Sequence, residues 1–190
     1  MARGRQAGEL LLGEWACLAS ITERPSHGFA VAARLAPTGD LGRVWSLSRP
    51  LTYRSLDQLL ERALLEVVGE ERGRNGLRRT VYGATDAGRE ALARWLGEPV
   101  AHVRDARSEL LLKLVVIDRL GLDREPLLRR QQAMLSPVIS SLTARSESTS
   151  DLDPVTVWRE ESALATQRFL DRLAAAPGEA HDSAAGDASS

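Results

Sequence analysis

Cysteine, lysine and aromatic residues are all scarce in this 190-residue chain. The one cysteine, Cys17, excludes an internal disulfide. Its apolar neighbours point to a buried structural thiol. Three histidines, His27, His102 and His181, lie far apart, and none has a Cys, Asp or His partner at metal-ligand spacing. The chain has no Ser/His/Asp arrangement and no glycine-rich phosphate loop, so neither an enzyme nor a cofactor or metal site is expected. No apolar run reaches the ~18 residues that span a bilayer. The first ten residues, MARGRQAGEL, hold two arginines but no apolar stretch ending in a cleavage site. The expectation is a cytoplasmic protein that does not enter a membrane.

What is present is enough for a core. The chain is 43% hydrophobic and 27% charged, within the range of globular domains. Its net charge of −1 hides an asymmetry: residues 1–100 carry 14 Arg against 12 Asp and Glu, and residues 101–190 carry 11 Arg and Lys against 14. DNA requires a local basic surface rather than a basic protein.

Helix and turn signals divide the chain. Leu11, Trp15 and Leu18 predict an amphipathic helix over 9–22, stopped by Pro25. Ser26 can cap a second helix, about 27–36, with Phe29, Val31, Ala32 and Leu35 inward. Pro37, Gly39 and Gly42 break the chain, and Val44 and Trp45 should pack inward from an irregular segment. Ser48 and Pro50 open a third helix. Its periodicity places Tyr53, Leu56, Leu59, Leu60 and Ala63 in the core and Leu51, Arg54, Ser55, Gln58 and Arg62 outside. A strand over 64–69, the turn Asn75-Gly76 and a return strand over 77–83 make a hairpin. Thr85 caps a helix bearing Ala91, Leu92, Trp95 and Leu96. Residues 105–121 form a helix apolar most of the way round. Residues 124–147 carry a heptad-like seam of Leu128, Gln131, Leu135, Val138 and Leu142. Pro154 opens a last helix with Val155, Trp158, Ser162, Ala165, Phe169 and Leu173 on one stripe. The tail from 176 is low in complexity and should be disordered.

Helix, helix, reading helix, hairpin, helix is the order of a winged helix-turn-helix. The expected fold is therefore mainly α. Residues 1–98 form a winged helix-turn-helix DNA-binding domain, residues 104–175 a C-terminal helical dimerisation domain, and residues 176–190 the tail. A major groove admits one helix, whose outward side chains read base edges. Arg54 suits guanine O6/N7 and Gln58 suits adenine N6/N7, while Thr52 and Ser55 are short donors for phosphate or thymine edges. Arg49 stands at the DNA-facing start of the same helix. In the wing, Arg72, Arg74, Asn75, Arg78 and Arg79 can follow a phosphate backbone or enter a minor groove; the alternative is a charged edge that blocks aggregation. His27 is a phosphate-donor candidate at a helix start, with packing as the alternative, and the Tyr53 hydroxyl can reach a phosphate from the edge of the core.

The chain also resembles the PadR family of bacterial transcription regulators. The resemblance rests on His27-Gly28-Phe29, on the Ser48–Leu59 element with Tyr53 and Leu56, and on Tyr82, Thr85, Gly88 and Leu92. Trp95-Leu96 and Glu109-Leu110 with Lys113 complete it, over about residues 9–175. Two departures stand out: Ala63 replaces the glycine that usually ends the reading helix, and Arg49-Pro50-Leu51-Thr52 replaces Pro-Gly-Thr-Leu. The resemblance implies a homodimer, more often a repressor, on double-stranded DNA with a pseudo-palindromic operator. It also implies a small aromatic effector beside Trp15 and Trp95, though core packing is the ordinary role of each tryptophan taken alone. The rival reading is a dimeric winged-helix module that binds protein instead of DNA.

Overall fold

The computed structural model describes residues 10–72, 78–147 and 153–175. The Arg74 and Asn75 assignments, the Asn75-Gly76 turn and the tail from 176 lie outside these residues. The elements run α1 (Leu12–Glu23), β1 (Ser26–His27), α2 (Gly28–Leu35), α3 (Arg49–Glu61), β2 (Leu65–Arg72), β3 (Arg78–Ala84) and α4 (Asp86–Gly97). A 3-10 turn over Val103–Asp105 and a π-helical turn over Ala106–Leu110 lead into α5 (Leu111–Arg119). The chain closes with α6 (Glu125–Glu147) and α7 (Pro154–Ala175). It is a mainly helical winged helix with a C-terminal helical region. The sheet is antiparallel in the order β1-β3-β2. No helix among the described residues is long and apolar enough to cross a membrane.

The first helix is not amphipathic. Gly13, Glu14 and every residue from Ala16 to Ile21 are buried, because α2, α3, α4, α5 and β3 surround α1. Leu11 precedes the helix and is exposed, against expectation. Its N–H donates to the Glu14 carboxylate at 2.7 Å, which satisfies one orphan donor of the first turn. Small residues on α1 (Ala16, Cys17, Ala19, Ser20) let its neighbours come close. Cys17 has no exposed surface. Burial pushes its thiol up to about 12, partly offset by a hydrogen bond with Ser55 and reinforced by the charge of Glu14. That makes it an inert packing group.

The second helix starts one residue later than expected, and its cap is His27, not Ser26. Ser26 and His27 form β1, pairing with Tyr82 and Val81. The Ala30 N–H donates to His27 Nδ1 at 3.0 Å. At α4 the expected cap holds, with the Gly88 N–H donating to Thr85 Oγ1 at 3.0 Å. Gly88 is required there: a Cβ would stand 2.1 Å from the Leu64 carbonyl oxygen.

Two cations and one amide from α5 and α6 close the end of α4. Arg130 donates to the Gly97 carbonyl and Lys113 Nζ to the Glu98 carbonyl, both at 2.7 Å. Gln131, fully buried, accepts from the Val100 N–H at 2.8 Å and donates to the Val100 carbonyl at 2.9 Å. The seam of α6 thus turns inward through Leu128, Gln131, Leu135 and Ile139. Val138 is exposed instead, and the Leu142 side chain lies outside what is described. On α7 the buried residues are Ala163 and Leu170, so the expected stripe is displaced and Trp158 is 72% exposed.

Candidate nucleic-acid interface

The reading helix α3 is rotated from its expected setting. Its buried residues are Thr52, Ser55, Leu56 and Leu59, spaced 3, 1 and 3 apart. Thr52 and Ser55 are therefore removed from the candidate DNA contacts. Thr52 has no exposed surface, and its hydroxyl donates to the Ser48 carbonyl at 3.1 Å. Ser55 is bonded to the Cys17 thiol. The sequence puts Ser55 on the outward face and makes Thr52 a short donor. They are small, and local bonds satisfy them, so α1 and α3 close over them.

The rotation brings Tyr53 out. It is 40% exposed rather than in the core, and its ring lies over Gly28, where a Cβ would stand 2.7 Å from Cε1. Gly28 is the residue that lets α2 and the Tyr53 ring meet. The outward face of α3 now reads Arg49, Leu51, Tyr53, Arg54, Asp57 and Glu61. Gln58 is half-buried and donates to the Glu61 carboxylate at 3.0 Å. It must release that partner before addressing a base.

In the wing, Glu71 pairs with Arg79 and Arg72 with Arg78 across β2 and β3. Arg78 Nη1 meets Glu70 at 2.8 Å with both side chains well exposed, so the pair is cheap to separate. Arg79 is half-buried and lies 3.2 Å from His27 Nε2. His27 thus uses one nitrogen as a helix cap and faces Arg79 with the other, with Glu71 at 3.8 Å. Its side chain is only 13% exposed, which limits its reach towards a phosphate.

Phe29, expected in the core, is 45% exposed. The guanidinium carbons of Arg49 and Arg79 lie 4.7 and 5.1 Å from its ring centroid. Sequence periodicity missed this because it treats every phenylalanine as core. A signal was available: the two arginines come from the reading helix and the wing, which flank α2 in this fold. Trp45 also escapes the core at 37% exposure, while Val44 packs against it.

Trp15 and Trp95 are brought together, with ring centroids 5.0 Å apart and planes within 9°. Lys113 Nζ sits 4.9 Å from the Trp95 centroid, is buried, and pairs with Glu109 at 2.7 Å. Among the described residues no three His, Cys, Asp or Glu side chains gather to hold a metal ion.

The outward α3 and the β2–β3 hairpin define a winged helix-turn-helix. Residues 17–94 match the model of the Transcriptional regulator PadR-like family. Two solved structures are similar along most of their length. One is Bacillus subtilis PadR in complex with operator DNA, at 19% identity, covering 85% of this chain and 96% of that one with a TM-score of 0.44. The other is smu.1604c from Streptococcus mutans UA159, at 14% identity, covering 87% and 100% with a TM-score of 0.42. No curated protein matches the chain.

Proposed function

We propose that this protein is a homodimeric regulator that binds duplex DNA in sequence-specific fashion, laying α3 in the major groove and the wing along the flanking backbone. The single observation that carries this reading is the outward face of α3. Arg54 is exposed there beside Tyr53 and Arg49, and Arg79 of the wing shares the Phe29 surface with Arg49. A bidentate Arg54–guanine contact supplies discrimination, and the wing arginines Arg72, Arg78 and Arg79 supply affinity without sequence preference.

A second copy fits the C-terminal helices. Met134, Val138, Val155 and Trp158 leave apolar surface uncovered on α6 and α7, and such surface is usually buried by a partner. Residues 1–98 then act as the reading unit and 104–175 as the dimerising unit. A two-fold dimer places its heads on half-sites about 34–36 Å apart. Repression by occupying a promoter is the simplest outcome. A planar aromatic effector would stack on the outer face of Trp15, since at 5.0 Å the rings already fill each other's inner faces and Trp95 is buried beside Lys113.

Selection from random duplexes, followed by anisotropy titration, tests the reading. Arg54→Ala should reduce the preference for the selected site by about 1–3 kcal/mol. Arg78→Ala should weaken all duplexes alike. Wild-type protein that ignores every duplex at low salt would favour the protein-binding alternative, for which the exposed acids Asp57, Glu61 and Glu66 on the same surface speak.

A further inference from the structure

Phe29 is a large apolar side chain at the surface, and it lies between the two parts of the interface. Arg49 is the first residue of α3, and Arg79 lies on β3. Both guanidiniums are within cation–π range of the one ring. Their separation therefore cannot exceed the sum of those two distances. Like charges repel, so two arginines do not gather at an exposed site without something between them. Here that something is the negative face of an aromatic ring. His27 Nε2 lies 3.2 Å from Arg79, but with Nδ1 accepting from Ala30 the proton of the neutral ring sits on Nε2, so Arg79 finds no acceptor there; the His27 and Phe29 rings lie 6.2 Å apart. The only carboxylate described at this cluster is Glu71, 3.8 Å from His27 and opposite Arg79 in the ladder. It is exposed and leaves Arg49 unneutralised.

We propose that Phe29 is a platform that holds Arg49 of the reading helix and Arg79 of the wing as a paired clamp on the phosphates of one DNA strand. This rests on the DNA-binding reading above and adds to it how the wing and the reading helix are brought into register. Phe29 is a positioning residue: it carries no charge to the DNA and acts through the two arginines. Ordering a long arginine at an interface weakens binding by roughly fivefold, and the platform meets that cost before the duplex arrives.

The test is a double-mutant cycle read by anisotropy with a fluorescein-labelled duplex of arbitrary sequence and with the selected site. Phe29→Leu keeps the net charge and most of the apolar volume. It should weaken both duplexes by roughly five- to thirtyfold with their ratio unchanged, and Phe29→Trp should restore binding. Arg49→Ala and Arg79→Ala should each cost much less in the Phe29→Leu background than in wild type. Should Phe29→Leu lower the melting temperature, the Arg49→Ala/Arg79→Ala cycle on the wild-type ring decides, with non-additive losses expected. Wild-type binding that is salt-sensitive and untouched by Phe29→Leu, or strictly additive arginine losses, would overturn the clamp alone. Absence of any wild-type binding would instead overturn the DNA-binding reading beneath it.

Discussion

Ala63 is the residue whose replacement should teach most about this fold. It lies just beyond α3 at φ 53, the one non-glycine residue with positive φ among the described residues. The conformation is imposed by what surrounds it. The Ala63 N–H donates to the Leu60 carbonyl and the Leu64 N–H to the Leu59 carbonyl, both at 2.9 Å, closing the helix end. The Ala63 carbonyl accepts from Thr85 Oγ1 at 2.8 Å, fixing the start of α4 against it. A left-handed residue with a Cβ costs about 1–2 kcal/mol. Glycine removes that strain but adds about 0.5–1 kcal/mol of chain entropy to the unfolded state. The balance predicts that Ala63→Gly stabilises the protein by about 0.5–1 kcal/mol. For a chain of this size that is a rise of roughly 1–4 °C in melting temperature. Ala63 is exposed, so the methyl lost takes little packing with it. Ala63→Val should instead destabilise, because a β-branched side chain is worst in this region. Urea unfolding of the three proteins checks the order Gly, Ala, Val. A glycine variant no more stable than wild type would show that the turn is not strained at this position.

Two more perturbations follow from buried charge. Arg34 and Arg119 bracket Glu23 and Asp40: Arg34 meets Glu23 at 2.6 Å and Asp40 at 3.0 Å, and Arg119 meets each acid at 2.7 Å. The Arg119 hydrogen bond, helped by Arg34, holds the Glu23 carboxyl below its usual range. Burial raises Asp40, but the Arg34 and Arg119 interactions outweigh it and its carboxyl is also lowered. A depressed carboxyl stabilises the fold above its unfolded pKa and stops doing so as pH falls through its folded one. Glu23→Gln should therefore be less stable than wild type at pH 7, with the gap closing below about pH 4; a gap independent of pH over urea titrations from pH 7 to 3 would contradict the network. For Lys113 and Glu109 the asymmetry lies in exposure, 1% against 35%. Glu109→Leu leaves a buried ammonium with the Glu98 carbonyl and the Trp95 ring but no counter-charge and should cost about 3 kcal/mol, whereas Lys113→Met leaves a carboxylate that water can reach and should cost less. Equal losses in thermal melts would refute that ranking.

Element order was readable because the sequence punctuates it. Pro25, Gly39 and Gly42, Ser48 with Pro50, Thr85, Gly121 and Pro154 each stop or start an element close to where the structure does. Gly121 indeed takes a positive φ of 64. Faces were less readable, for one recurring reason: a residue's polarity is not its burial. Thr52 and Ser55 are polar and buried because each finds a local partner. Gln131 is polar and buried because the Val100 backbone offers both a donor and an acceptor. Phe29 and Trp158 are aromatic and exposed, the first because two arginines cover its ring. The departure at Ala63 was visible in the sequence, and its φ explains why a glycine fits that position.

The same chemistry governs the connection between the winged-helix part and the C-terminal helices. In sequence, residues 99–103 fall between the expected DNA-binding and dimerisation domains. In the fold, three carbonyls within four residues, those of Gly97, Glu98 and Val100, accept from Arg130, Lys113 and Gln131. Two of those donors are charged, and such bonds are worth about 1.5–3 kcal/mol each. Arg119 of α5 also reaches Glu23 at the end of α1 and Asp40 beyond α2. Two separate polar attachments resist bending more than a single one would. The angle at which α6 leaves the winged-helix part is therefore set by side chains rather than by the covalent chain. A substitution that loosens Lys113 or Arg119 should disturb that angle before it disturbs either unit's own packing.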